Sequence, residues 1–173
     1  MAAEAFEHQV DGAAVLRAIP LFGEVLSEPL LEGLAHKCAT VVFPQSSILM
    51  GEGDFGTSMF AIVDGEVEVT VADRSGDEQG VARLAEGDVV GEMSLMTGAR
   101  RSATVTAITD VVALEITKYS LEAVLARAPE LIDRFGDILH RRQKERDRVA
   151  AGKADIITQI RKFFPSVFGR RDA

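Results

Sequence analysis

Residues 59–71 read MFAIVDGEVEVTV, and the fold turns on how this stretch is read. Met59 to Val63 is an unbroken apolar run, Asp64-Gly65 is a turn dipeptide, and Val67, Val69 and Val71 then alternate with Glu66, Glu68 and Thr70. A period of two around a central turn pair predicts a β-hairpin whose second strand has one wet and one buried face. The same period extends in both directions. Val41 to Phe43, Ser47 to Met50, Val81 to Leu84, Thr104 to Ala107 and Val111 to Ile116 read as further short strands. Turn signals recur at Gly51 and Gly53, Ser75-Gly76, Gly87 and Gly98. Many short strands with regular turns predict a sandwich or small barrel from Thr40 to Ile116.

Outside that block the spacing is helical. Val15, Leu16 and Ile19 form one apolar stripe, and Leu30, Leu31, Leu34 and Ala35 form another. Ser27 is placed to cap the second helix, with Pro29 tolerated in its first turn. The connector IPLFG, Ile19 to Gly23, separates the two. A third zone, Ser120 to about Phe164, is helical with a break at Ala128-Pro129. In it Leu131, Ile132, Phe135, Ile138 and Leu139 share one face, which Arg142 joins three residues later.

Composition narrows the class. At 173 residues the chain fits one domain, and 47% apolar with 27% charged residues excludes wholesale disorder. No run of 18 apolar residues exists to span a membrane, and no basic-then-apolar leader is visible. A single Cys, Cys38, allows no internal disulfide and suits a reducing, cytoplasmic setting. His8, His36 and His140 are too scattered to form a metal site, so no metal is expected. The three histidines also lie outside the strand region, which excludes a cupin-type metal centre. No G-x-S-x-G elbow is present for a serine hydrolase.

Charge is unevenly spread. Residues 1–140 hold 9 Lys/Arg against 23 Asp/Glu, a net of −14, while residues 141–173 hold 10 against 4, a net of +6. So acidic a body should repel nucleic acid, and any anion it binds must be held by local donors. The basic tail reads first as a solvated helix face, with an acidic partner or membrane surface as the alternative.

Two motifs carry chemistry. GEGDFG, Gly51 to Gly56, matches G-x-G-x-x-G, but the residues after Gly56 alternate as a strand and open no helix, so its glycines read as turn residues. GDVVGEMSLMTGARRSATV, Gly87 to Val105, is the informative stretch. Val89-Val90 ends at Gly91, and Glu92 to Thr97 has room for a short helix before Gly98 stops it. The first turn of that helix offers backbone N–H groups to an anion, and Arg100, Arg101 and Ser102 come directly after it. Glu92 adds an acceptor for sugar hydroxyls. Singly, such a Glu is ordinarily a dipole-compensating surface residue and such an Arg is ordinarily solvated. Together, from Gly91 to Ser102, they form one cassette for a phosphate and a ribose.

The chain resembles the cyclic nucleotide-binding domain family of the catabolite activator, kinase regulatory subunits and cyclic-nucleotide-gated channels. The resemblance covers about residues 15–145 through IPLF, GEGD, IVDGEVEV, GEMSL and RSATV. It implies an α+β fold, an antiparallel, jelly-roll-like β-roll flanked by short N-terminal helices and by C-terminal helices. It implies a non-enzymatic sensor in which Arg101 clamps the cyclic phosphate and Glu92 holds the ribose 2′-hydroxyl. Gly91, Met93, Ser94 and Ser102 complete the cradle, and Arg142 on a closing lid helix stacks on the base. Only Arg101 of the two adjacent arginines enters the pocket in the family. The ligand implied is cAMP, favoured over cGMP. The chain then divides into an N-terminal extension (1–13), the binding domain with its lid (14–145) and a basic helical tail (146–173). That tail reads as a continuation of the lid helix and resembles the ends of bacterial channel-type proteins, so the expected partner is an effector domain or subunit such as a membrane channel. Homo-oligomerisation stays open. The alternatives are a degenerate fold serving as a structural adaptor, and a transcription regulator without its DNA-binding domain.

Overall fold

Strand β3 (Ser58–Asp64) organises the architecture because it is covered on both sides. The structure is a computed structural model and describes residues 10–146 and 152–169. Met59 and Ala61 enter one apolar core, while Phe60 and Ile62 enter a second. A strand buried on both faces reads as a continuous apolar run rather than an alternation. It lies within an antiparallel sheet ordered β1 (Ala39–Phe43), β8 (Val111–Thr117), β3 and β6 (Val89–Val90). The other antiparallel sheet is ordered β2 (Ile48–Met50), β7 (Thr104–Ala107), β4 (Val67–Ala72) and β5 (Glu78–Leu84). Leu49, Met50, Phe60, Ile62, Val67, Val90 and Val105 fill the space between them. This is the α+β, jelly-roll-like β-roll with flanking helices.

The hairpin expected at Asp64-Gly65 is not formed. β3 pairs with β6 and β8, whereas β4 pairs with β5 and β7, so the dipeptide carries the chain from one sheet to the other. The link between β7 and β8 crosses at the same corner. There the Glu66 N–H donates to Thr109 Oγ1 at 3.0 Å, and the Ile108 N–H donates to the Glu66 carbonyl at 2.9 Å. Gly65 has φ +96°, and a Cβ on it would run into the Asp110 carbonyl oxygen. A turn dipeptide specifies a reversal of direction; which strand becomes the partner is set by the cores on either side. The hairpin that does form is β4–β5, whose turn is tied by Asp73 Oδ1 accepting from the Ser75 and Asp77 N–H groups at 2.8 and 3.0 Å.

Helices cover the outer face of the β3 sheet. α1 (Gly12–Arg17), α2 (Pro20–Gly23) and α3 (Glu28–Ala35) precede the roll. Ser27 occupies the N-cap of α3 but makes no side-chain capping bond there; Glu28 instead pairs with Arg17 at 2.7 Å. α4 (Glu92–Thr97) interrupts the strands, and α5 (Lys118–Arg127) follows them behind a Thr117/Ser120 capping box. After a single 3-10 turn at Pro129–Leu131 comes α6 (Ile132–Arg146), which buries Ile132, Phe135, Ile138 and Leu139.

The segment expected to extend this last helix is in fact a separate element. α7 (Lys153–Phe163) starts from an extended Gly152, and α8 (Pro165–Phe168) follows it. Ile156, Ile160 and Phe164, four residues apart, have no exposed surface and belong to the helical core. Their spacing is that of an amphipathic helix with an apolar stripe to bury. Among the described residues, no helix is long and apolar enough to cross a membrane.

The corner at Gly65 yields a stability prediction. Gly65→Ala combines a left-handed backbone with a clash against Asp110 and should destabilise the fold by about 2–4 kcal/mol in urea unfolding. A loss under about 0.5 kcal/mol, within the usual range for a surface substitution, would show that the corner relaxes freely.

Candidate ligand-binding site

Strand β6 delivers the chain to Gly91, whose φ of +88° turns it sharply into α4. A Cβ at this position would collide with the Arg101 guanidinium and crowd the Ser58 carbonyl oxygen. Glycine here is therefore required by both conformation and space. Glu92 and Ser94, in the first turn of α4, are almost fully buried, at 2% and 3% exposed, and Met93 between them is half-buried.

Arg101 is the centre of the site. Its side chain is 6% exposed and lies across the start of β3, where Nη1 donates to the Ser58 carbonyl at 2.7 Å and Nη2 approaches Ser58 Oγ at 3.4 Å. The backbone beneath it is fixed by the 51–54 turn: the Arg101 N–H donates to the Asp54 carbonyl, and the Gly53 N–H donates to the Arg101 carbonyl, both at 2.8 Å. A Cβ on Gly56 would overlap the guanidinium. The third glycine of GEGDFG, read from sequence as a turn residue, thus clears space for a cation. Burial pulls the Arg101 pKa down, opposed by the fields of Asp54 and Glu115. Among the described residues, no carboxylate lies within ion-pair distance of it. A buried cation with a carbonyl as its best acceptor has the chemistry to receive an anion.

Arg142 of α6 is close by and contacts Glu92. Its Nε lies 3.3 Å from Glu92 Oε1, with the Arg142 side chain 27% exposed. Helix α6 therefore touches the cassette through the carboxylate that was expected to hold a ribose. α6 is also anchored to the N-terminal helices, where Arg134 donates to the Val25 carbonyl at 3.3 Å and Arg141 pairs with Glu24 at 2.9 Å.

Gly91, Glu92, Met93, Ser94, Arg101, Ser102 and Arg142 all line one cavity of about 980 Å³. Ser102 is exposed at its edge. Arg100 also reaches the cavity but is exposed, its guanidinium 4.3 Å from the Phe55 ring centre. Sequence reasoning missed three contributors. Ser58 holds Arg101 through a backbone carbonyl, which leaves no mark in side-chain chemistry. Val69, Val71, Val81 and Leu84 build an apolar wall, visible only as strand alternation. Gln143 and Gln159 enter from α6 and α7, and their place depends on tertiary packing. Among the described residues, no group of His, Cys, Asp or Glu is placed to hold a metal ion.

Residues 40–128 match the family model for the cyclic nucleotide-binding domain. The chain belongs to that family. Within the family it is 30% identical over 119 residues to a cyclic nucleotide-gated potassium channel of Rhizobium etli, the match covering 69% of this chain and 32% of the channel. It is 28% identical over 127 residues to the cyclic AMP receptor protein of Thermus thermophilus, covering 69% of this chain and 59% of the receptor. The chain thus spans less than two thirds of each of these curated relatives. Among solved structures it is similar to the regulatory domain of Toxoplasma gondii PKA crystallised with cAMP. That likeness has a TM-score of 0.64 at 26% identity and covers 73% of this chain and 48% of the other.

The contact between α6 and the cassette can be measured directly. A double-mutant cycle on Glu92→Gln and Arg142→Ala, followed by urea unfolding without ligand, should give a coupling of about 1 kcal/mol. Additive effects would mean that the pair adds no stability to the lid.

Proposed function

We propose that this chain is a regulatory sensor that binds a 3′,5′-cyclic nucleotide, cAMP in preference to cGMP, and passes occupancy on through helix α6. The observation that carries the reading is the buried Arg101 guanidinium, which has a carbonyl acceptor but no carboxylate partner among the described residues. A cyclic phosphate supplies the missing charge, and a planar guanidinium can meet two of its oxygens at once. Gly91, Met93, Ser94 and Ser102 line the same cavity, and their backbone groups, with the Ser102 hydroxyl, would complete the cradle. The cAMP preference is supported by the relatives whose names specify cyclic AMP and by the solved neighbour that holds cAMP.

Glu92 joins binding to movement. The ribose 2′-hydroxyl and Arg142 both address this carboxylate, so nucleotide changes the contact that holds α6 to the cassette. Ligand then shifts a closed–open equilibrium of the lid by as much as it prefers one state. The ties of Arg134 and Arg141 to residues 24–25 give that motion a route to the N-terminal helices as well as to the C-terminal segment. The effector is an attached or associated domain, and a channel is one candidate, supported by the Rhizobium etli relative. A transcription regulator is the second reading, favoured by the cAMP-activated regulators among the relatives. The net −14 of residues 1–140 speaks against this part of the chain touching DNA itself.

Calorimetric titration with cAMP tests the reading. Arg101→Ala removes a charge-assisted pair and should weaken binding roughly 30- to 1,000-fold. Arg100→Ala should cost little, since Arg100 is exposed. Equal binding by Arg101→Ala and the parent would refute the phosphate assignment, and a parent that binds nothing would leave a structural adaptor.

The ribose contact has its own check. Glu92→Ala should weaken cAMP binding yet hardly change binding of the 2′-deoxy analogue, because the two defects remove one hydrogen bond. Equal losses on both ligands would make Glu92 a support for the loop and for Arg142.

A further inference from the structure

Helix α7 lies outside the residues that match the family, yet it reaches the cavity. Its inner face is fixed at two places. Phe163 packs where a Cβ on Gly98 would sit, at the end of α4, beneath Lys118 Nζ at 4.1 Å from the ring centre. On the lid side, Ile157 fills the space left by Gly136 of α6, and Lys153 Nζ bonds Asp137 at 2.8 Å. A helix tied at once to cassette and lid presents Gln159 to the cavity, which Gln143 of α6 also lines. Gln143 Oε1 is buried without a hydrogen-bond partner among the described residues. The cavity also has the apolar wall of Val69, Val71, Val81 and Leu84. It therefore offers a surface for the face of a flat ring and two carboxamides for its edge.

We propose that Gln159, together with Gln143, reads the polar edge of the base, which makes α7 a wall of the binding site. The proposal rests on the reading of this cavity as a cyclic nucleotide site. Adenine places an amino donor beside a ring-nitrogen acceptor, and a carboxamide matches that pair with its oxygen and its NH₂ group. The two N–H donors of the amino group then meet the two carboxamide oxygens, that of Gln159 and the buried one of Gln143, which otherwise bears an uncompensated desolvation cost. The selectivity of this chain for its base therefore depends on a helix beyond the lid.

Two ligands test this on the full chain: cAMP, and purine riboside 3′,5′-cyclic monophosphate, which lacks the exocyclic amino group. By calorimetry the parent should bind cAMP roughly three- to tenfold more tightly than the analogue. Gln159→Ala should lower that ratio, and Gln159→Ala combined with Gln143→Ala should bring it close to one, while analogue affinity stays within about twofold. Gln159 is exposed, so the variant should fold, and an unchanged Tm checks this. An unaltered ratio, or equal losses on both ligands, overturns the proposal and leaves α7 a packing element. A parent that binds neither ligand refutes the nucleotide reading and this proposal with it; a parent that binds both but is insensitive to Gln159→Ala refutes this proposal alone.

Discussion

A guanidinium held away from water, with no carboxylate in ion-pair contact among the described residues, is costly to fold, and much of this molecule is arranged around that cost. Arg101 rests against the first residue of β3, over the 51–54 turn, in room kept by Gly56 and Gly91. Those parts come from three separated stretches of sequence and meet only because the two sheets close on each other. Asp54 and Glu115 lend their fields from a distance and so leave the guanidinium free to take a ligand. Had either carboxylate moved into contact, the cation would be more comfortable and the site would be spent.

The strands were legible because alternation is local, and so was the cassette, whose residues lie within a dozen positions. Partnership was not legible. Asp64-Gly65 looks the same whether the next strand returns beside β3 or leaves for the other sheet, and only the corner shared with Thr109 and Asp110 decides. The clue lay in Met59 to Ile62: four consecutive buried residues cannot belong to a strand with one wet face. Gly56 was hidden for a related reason, since the atom that needs its space belongs to a residue far along the chain. Helical spacing put Arg142 on the apolar face of its helix, but spacing says nothing of which group it meets, and it meets Glu92 at the cavity.

The C-terminal segment shows what charge counts overlook. An excess of basic residues after Arg141 suggested a solvated face, and Arg161 and Lys162 are indeed exposed. The opposite stripe of the same helix carries Ile156, Ile160 and Phe164 into the core. With α7 docked, α6 is one of two helices over the roll, and α7 joins it through Lys153 and Ile157 to the contact between Phe163 and Gly98.

The pairing of β1 with β8 bears on how the protein is made. Ala39 faces Glu115 and Phe43 faces Val111, so the first strand waits for the last before its sheet can form. Loop closure over such separations is slow, and a chain leaving the ribosome exposes its early apolar strand meanwhile. The N-terminal helices and the β4–β5 hairpin involve only near neighbours and need no such delay. Ser58 and Arg101 are thus both synthesised before β8, the strand that pairs with Ser58 through Thr117.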